Sequence, residues 1–190
     1  MTPNAFGAGI AIGGLLALLI NVVRTVRYFS SGSPGTICSG PWTARLTDGS
    51  ERMSLFQRAV VSLTGLWAMR SSEAIYFTAL HDSDGARLNS SCRYEIHGNK
   101  LPAQWWSVTV YQNCHFIPNK LNRYSRSSTN IQRNDDNLWV ITLSEAPSET
   151  NWIPLASGPG VLSVTLRLYG PQQGAFSEQE ETALPTIRRV

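Results

Sequence analysis

Lysine is almost absent from this chain. Lys100 and Lys120 stand alone among 16 basic residues, and the arginines are scattered rather than run together. A formal net charge of +3 without a basic run excludes a nucleic-acid footprint, which needs cations concentrated on one face. Cysteine is scarce too: Cys38, Cys92 and Cys114 form no CxxC pair and no metal-ligand spacing. Cys92 and Cys114 flank two strand candidates, so a disulfide between them is one reading and three free thiols the other. His81, His97 and His115 are too far apart for any metal motif, and no HExxH, GxSxG, phosphate-loop or dinucleotide-binding pattern occurs. No metal or cofactor is therefore expected.

One absence is local. From Ala5 to Val23 there is no charged side chain. That stretch, helical at a rise of ~1.5 Å per residue, is about as long as a bilayer's hydrocarbon core is thick. Arg24 and Arg27 close it, with Tyr28 and Phe29 where an interfacial aromatic belt would lie. Met1–Asn4 carries no Lys or Arg and no small-x-small site follows, so the expectation is an uncleaved anchor. Gly9 and Gly13 form a GxxxG that would admit a close helix–helix partner. The flanking arginines by themselves favour a cytoplasmic domain.

The rest divides into a linker and a domain. Residues 30–50, rich in Ser, Gly and Pro, read as linker and turn, and 51–190 as one globular domain behind the anchor of residues 1–29. Between Glu51 and Arg70 the positions Leu55, Phe56, Ala59, Val60, Leu63, Leu66 and Trp67 recur at helical spacing. An amphipathic helix of about five turns is expected, packed on a sheet. Beyond it the period becomes two. Strands are expected at 74–80, 93–97, 105–111, 138–143 and 162–169, with turns at Asp82-Ser-Asp-Gly85 and Gly98-Asn99. Asp82 and Asp84 lack the further ligands of a calcium loop and read as a turn. Glu178-Gln-Glu-Glu181 reads as acidic surface. The fold class that follows is mainly β: an antiparallel sandwich or jelly roll with one amphipathic helix, preceded by one transmembrane helix.

Two of these strands alternate cleanly. Trp106, Val108 and Val110 lie opposite Ser107, Thr109 and Tyr111; Leu162, Val164, Leu166 and Leu168 lie opposite Ser163, Thr165, Arg167 and Tyr169. If the strands are neighbours, their polar faces merge into a hydroxyl-rich surface with one fixed cation. Such a surface suits either plain solvent or an anionic ligand. Asn119–Ser125 and Asn151–Pro154 gather further donors. Tyr111, Arg123, Tyr124, Asn151, Arg167 and Tyr169 are the candidate ligand-binding residues, for a carboxylate or sugar hydroxyls. The competing reading has Asn, Arg and Tyr bracing loops against backbone carbonyls.

The same segments carry a resemblance. WWSVTVY at 105–111, PNKLNRYS at 118–125, NWIPL at 151–155, VTLRLYGP at 164–171 and LPTIRRV at 184–190 resemble the bacterial family termed domain of unknown function 1214. SEAIYFTALHDSDGARL at 72–88 is similar to its strand–turn entry, and the likeness runs from about Arg58 to the C-terminus. Gln112 departs from the family's Asp after the tyrosine, Lys120 from its Pro, and Asn134-Asp-Asp-Asn137 from its DGS turn. The first departure removes a carboxylate beside Tyr111. The resemblance implies a β-rich, jelly-roll-like domain, exported or anchored in Gram-negative bacteria, which favours the periplasm over the cytoplasm. It implies no activity. Three functions follow as expectations: a non-catalytic envelope protein binding a glycan, an anionic small molecule or a membrane partner; a hydrolase or lyase in which Arg123 or Arg167 holds the anion and Tyr111, Tyr124 or His115 moves the proton; or a structural subunit, favoured if Trp42 or Trp152 is exposed.

Overall fold

The computed structural model describes residues 3–30, 35–63, 69–172, 174–176 and 184–190. The uncharged N-terminal run is a helix, α1 (Pro3–Ser30), within which Phe6–Arg27 is long and apolar enough to cross a membrane and has no buried share. Its polar side chains turn back on the helix: the Asn21 amide donates to the Ala17 carbonyl at 2.8 Å and the Thr25 hydroxyl to the Asn21 carbonyl at 2.8 Å. That internal pairing is what a hydrocarbon environment demands of a polar group.

Residues 36–45, expected as linker, instead form a hairpin of β1 (Thr36–Ser39) and β2 (Trp42–Arg45), with Gly40 in the left-handed region at the turn. Trp42 is fully buried, and its indole N–H donates to the Pro185 carbonyl at 2.6 Å. The hairpin is thus built into the domain. Ser31–Pro34 lie outside the described residues.

The helix expected over 51–70 begins only at Leu55, and residues 69–70 are not helical. It is α2 (Leu55–Leu63), and a capping box starts it: Gln57 N–H donates to Ser54 Oγ at 3.2 Å and Ser54 N–H to Gln57 Oε1 at 2.8 Å. Residues 51–54 form the preceding turn because Ser54 satisfies the first free amides and sets the entry. Leu66 and Trp67 lie outside the described residues, as does the Leu63 side chain. Among the described residues of α2, Val60 and Val61 are buried but stand outside the main core cluster.

The β-domain is a sandwich. The remaining strands are β3 (Ala74–Ala79), β4 (Tyr94–Gly98), β5 (Ala103–Gln112), β6 (His115–Phe116), β7 (Ser125–Ser127), β8 (Trp139–Ser144), β9 (Ile153–Pro154), β10 (Leu162–Pro171) and β11 (Thr186–Arg189). One sheet runs β1-β2-β3-β10-β5-β6 with β7 also on β5; the other runs β11-β4-β8-β9. Every pair is antiparallel except β8–β9. This is the mainly β, antiparallel fold the alternation called for, with no closed barrel. Between the sheets lie Phe77, Val108, Val110, Val164, Leu166 and Leu168 from one side, and Tyr94, Ile96, Ile141, Leu143 and Ile187 from the other. Each of these apolar side chains contributes ~1.5–3 kcal/mol when taken out of water.

Gly98 ends β4 against the face of Trp139. A Cβ there would stand 2.2 Å from the indole. Trp139 is held in position, since it is buried, stacked on Trp106 at 4.7 Å, and bonded through its N–H to the Asn99 carbonyl at 2.8 Å. Gly98→Ala is therefore expected to destabilise the domain by about 1–3 kcal/mol, read as a lower urea midpoint.

The turn at Asp82 forms as expected. Asp82 Oδ1 accepts from the Asp84 and Ala86 amides at 3.1 and 2.8 Å, which closes the turn. The Cys92–Cys114 bridge is not formed, and all three thiols are free. Cys92 packs against the core just before β4. Cys114 stands exposed at the tip of the β5–β6 hairpin, where Asn113 and Cys114 both have positive φ as a tight two-residue turn requires. Glu178–Glu181 lie outside the described residues.

Candidate functional site

β10 lies between β3 and β5, so the two alternating strands are neighbours. The register sets Arg167 beside Ser107 on one flank and Tyr76 on the other, Thr165 beside Thr109 and Thr78, and Tyr169 beside Trp105. Side chains on paired positions share a face. The polar residues of three strands therefore share the face turned away from the core, with Arg167 near its middle, and on that face Ser107 and Thr109 are themselves buried.

Arg167 is held in place there. Its Nη1–H donates to Thr109 Oγ1 at 2.9 Å and its Nη2–H to Tyr111 Oη at 2.6 Å, with the guanidinium 5.8 Å from the Tyr111 ring centre. No carboxylate pairs with it among the described residues. Around it stand aromatic rings: Trp105 against Tyr169 at 5.3 Å, Tyr169 edge-on to Tyr76 at 6.4 Å, and Tyr111 stacked on Phe116 at 5.3 Å. Phe116 also meets Tyr124 at 5.1 Å. Burial, reinforced by the neighbouring Tyr169 phenol, holds Tyr76 above the ordinary phenol value of 10.0, and the pull of Arg167 in the other direction does not overcome it. Tyr76 thus favours its neutral form, with its hydroxyl already hydrogen-bonded to that of Tyr169.

Of the six sequence candidates, Tyr111, Arg167 and Tyr169 share this face, and Tyr124 joins its rim through Phe116. Asn151 and Arg123 have other partners. The Asn151 side chain, at a residue with φ of 46°, accepts from Gln132 N–H at 2.8 Å and donates to the Gln132 carbonyl at 2.7 Å, a loop brace that leaves its carbonyl and amide already engaged. The Arg123 guanidinium lies 5.8 Å from the Trp152 ring centre, and Arg126 donates to the Trp152 carbonyl at 3.2 Å. Thr109 was legible on this face from the alternation, whereas Tyr76 beside Arg167 and Trp105 beside Tyr169 were not among the candidates. Their phase was visible, because each lies out of step with a buried residue, but which strands adjoin was not.

A cavity of about 710 Å³ opens on the side of the four-stranded sheet, lined by His97, Arg133, Leu138, Trp139, Asn151 and Thr186 among others. Its polar groups are largely committed: His97 to Glu95 at 3.1 Å, the Trp139 indole to Asn99, and Asn151 to Gln132. Arg133 also lacks a carboxylate among the described residues, its Nη1–H donating to the Asn137 carbonyl at 3.4 Å, so the distinction is one of orientation: Arg167 is aimed by Thr109 and Tyr111 and is the stronger candidate.

The geometry also sorts the enzymatic expectation. Arg167 and Tyr111 project from the same face, as that reading requires. His115 does not join them, since it pairs with Gln112 and so lies on the opposite face from Tyr111. Among the described residues, no three His, Cys, Asp or Glu side chains stand where they could hold a metal ion.

Fold and surface together define a small antiparallel β-sandwich behind an apolar N-terminal helix, with a guanidinium framed by aromatic rings on one sheet. The chain belongs to the family described as Protein of unknown function (DUF1214), whose model matches residues 73–173. It is similar to the crystal structure of the VPA0106 protein from Vibrio parahaemolyticus, at 26% identity and a TM-score of 0.59, over 71% of this chain and 35% of that one. An uncharacterised protein from Burkholderia cenocepacia is similar at 15% identity, with a TM-score of 0.42, over 62% of this chain and 29% of the other. The chain thus spans about a third of the length of these solved relatives. No curated protein matches it.

Proposed function

We propose that this protein is a single-pass bacterial inner-membrane protein whose β-sandwich faces the periplasm and binds an acidic glycan or a related anionic molecule without chemically transforming it. Residues 5–23 lie in the hydrocarbon core, with Gly9 and Gly13 open to a helix partner. The supporting observation is Arg167: a guanidinium oriented by Tyr111 and Thr109, lacking a carboxylate among the described residues, and flanked by rings. An anion meets the guanidinium through charge-assisted hydrogen bonds. Trp105 and Tyr169 offer apolar faces to sugar rings, and the half-buried Thr78 and Thr165 with the phenols offer hydroxyl partners. Periplasmic placement follows the family's resemblance to exported proteins, against the count of flanking arginines.

The test is a comparison of oligogalacturonate with a neutral galactan of equal length, both applied to the full chain in detergent. Saturable binding of the acidic chain alone supports the reading. Equal binding of both, or of neither, removes it.

A second reading keeps the site and adds chemistry. The short Arg167–Tyr111 contact would let the phenol move a proton on a bound anion, as a lyase requires. Release of unsaturated or shortened product from the acidic oligosaccharide would favour it over simple binding. The structural-subunit reading loses its expected support, because Trp42 and Trp152 are both buried.

A further inference from the structure

Helix α2 has an exposed face with no part in the core. At 100° per residue Leu55, Ala59, Ser62 and Arg58 fall on one contiguous sector, and all four are exposed. Val60 and Val61, on the other side, are buried. Leu55 is 85% exposed, among the most accessible large apolar side chains in the protein.

The position of this face is set by α1. The Arg24 guanidinium lies 5.3 Å from the centre of the Phe56 ring. Arg24 sits in the last turn of the apolar span Phe6–Arg27, where a spanning helix leaves the hydrocarbon and its arginines reach for the headgroups. Phe56 is therefore at headgroup depth, and Leu55 is the next residue along α2. The exposed charge around it is mostly positive. Among the described residues Arg24, Arg27, Arg52 and Arg58 are exposed, while Glu51 pairs with Arg70 at 2.5 Å and Asp48 with Arg45 at 3.0 Å. Arg58 is further steadied by its donation to the Met53 and Glu51 carbonyls, at 3.3 and 3.2 Å. A short amphipathic helix with an apolar residue between arginines, fixed beside the end of a membrane span, has the composition of an interfacial helix.

We infer that α2 is a second membrane contact: it lies in the headgroup layer of the bilayer that α1 spans, with Leu55 in the acyl boundary and Arg52 and Arg58 on the phosphates of anionic phospholipid. This rests on the reading of α1 as an anchor, and it fixes the β-sandwich close to the bilayer rather than free on a tether.

The experiment uses the full chain with Cys38, Cys92 and Cys114 replaced by Ser, reconstituted in vesicles containing phosphatidylglycerol. A single spin label is placed at Leu55, at Leu16 within the span, or at Val161 on the far domain surface. Accessibility to oxygen and to a water-soluble nickel chelate is then measured. The inference expects the Leu55 label to be oxygen-rich and nickel-protected, several-fold apart from Val161, with the contrast shrinking in phosphatidylcholine vesicles or high salt. A Leu55 label as open to nickel as Val161, while Leu16 is buried in lipid, overturns the interfacial helix and leaves the anchor standing. A Leu55 label shielded from both reagents means a protein covers it, and also overturns the inference. A Leu16 label open to nickel removes the anchor and the inference together.

Discussion

Trp42→Ala is expected to lower the stability of the domain by about 3–5 kcal/mol, the range for emptying a fully buried tryptophan site. The indole is fully buried, and Ala79, opposite it in the register, is too small to fill the space it would leave. Its N–H also holds the Pro185 carbonyl, which introduces β11. Loss of the side chain therefore opens a cavity and loosens the attachment of the C-terminal strand at once. Trp42→Phe separates the two effects. It retains most of the apolar volume and removes only the donor, so about 1–3 kcal/mol is expected. Urea unfolding of the full-length protein in detergent reads both values. A change below ~1 kcal/mol for Trp42→Ala would mean that residues 36–45 are a dispensable linker after all.

The second large effect is on binding. Arg167→Gln is expected to weaken an acidic oligosaccharide by about 10- to 150-fold, the equivalent of ~1.5–3 kcal/mol for a hydrogen bond to a charged group. Glutamine keeps a polar side chain on the sheet face but loses the charge and the planar fork. Arg167→Lys restores charge without the fork, so it should recover only part of the affinity. Tyr111→Phe leaves the guanidinium in place with one fewer tether, and a loss of about fivefold is expected. Titration calorimetry against oligogalacturonate distinguishes the three. Affinity that stays level in Arg167→Gln would move the site elsewhere, with the cavity beside Trp139 the next place to look. Because Arg167 is only half-buried and faces outward, none of these changes should unfold the domain.

The parts of this fold that were legible in the sequence are those with long, regular patterns. Ten-residue strands such as β5 and β10 alternate for enough positions that the inward face cannot be mistaken, and α1 is uncharged over many turns. Four-residue strands offer no such signal. TICS and WTAR, the two arms of the N-terminal hairpin, sit among Gly, Ser and Pro and read as linker, although Trp42 is one of the most buried residues in the chain. The capping box at Ser54 and Gln57 was present in the sequence as an S-x-x-Q pattern, and it would have placed the start of α2 at Leu55.

The site divides in the same way. That Arg167 and Tyr111 point outward follows from alternation alone. That they touch depends on β10 returning to lie beside β5 across about fifty residues of intervening chain, and such long-range pairing leaves no local trace. Asn151 shows the converse. A polar residue beside a strong strand looks like a ligand donor, yet its left-handed backbone and its double bond to Gln132 make it a fastener for two loops.

The account turns on whether the face around Arg167 is where an anion binds, and nuclear magnetic resonance of the arginine side chains tests this directly. With ¹⁵N-labelled full-length protein in detergent, the Nε–H signal of Arg167 is followed as oligogalacturonate is added, alongside the indole signals. A saturable shift of Arg167 and Trp105, with Arg123 and Arg133 unmoved, is the predicted result. An Arg167 signal that stays in place while the ligand binds would contradict it.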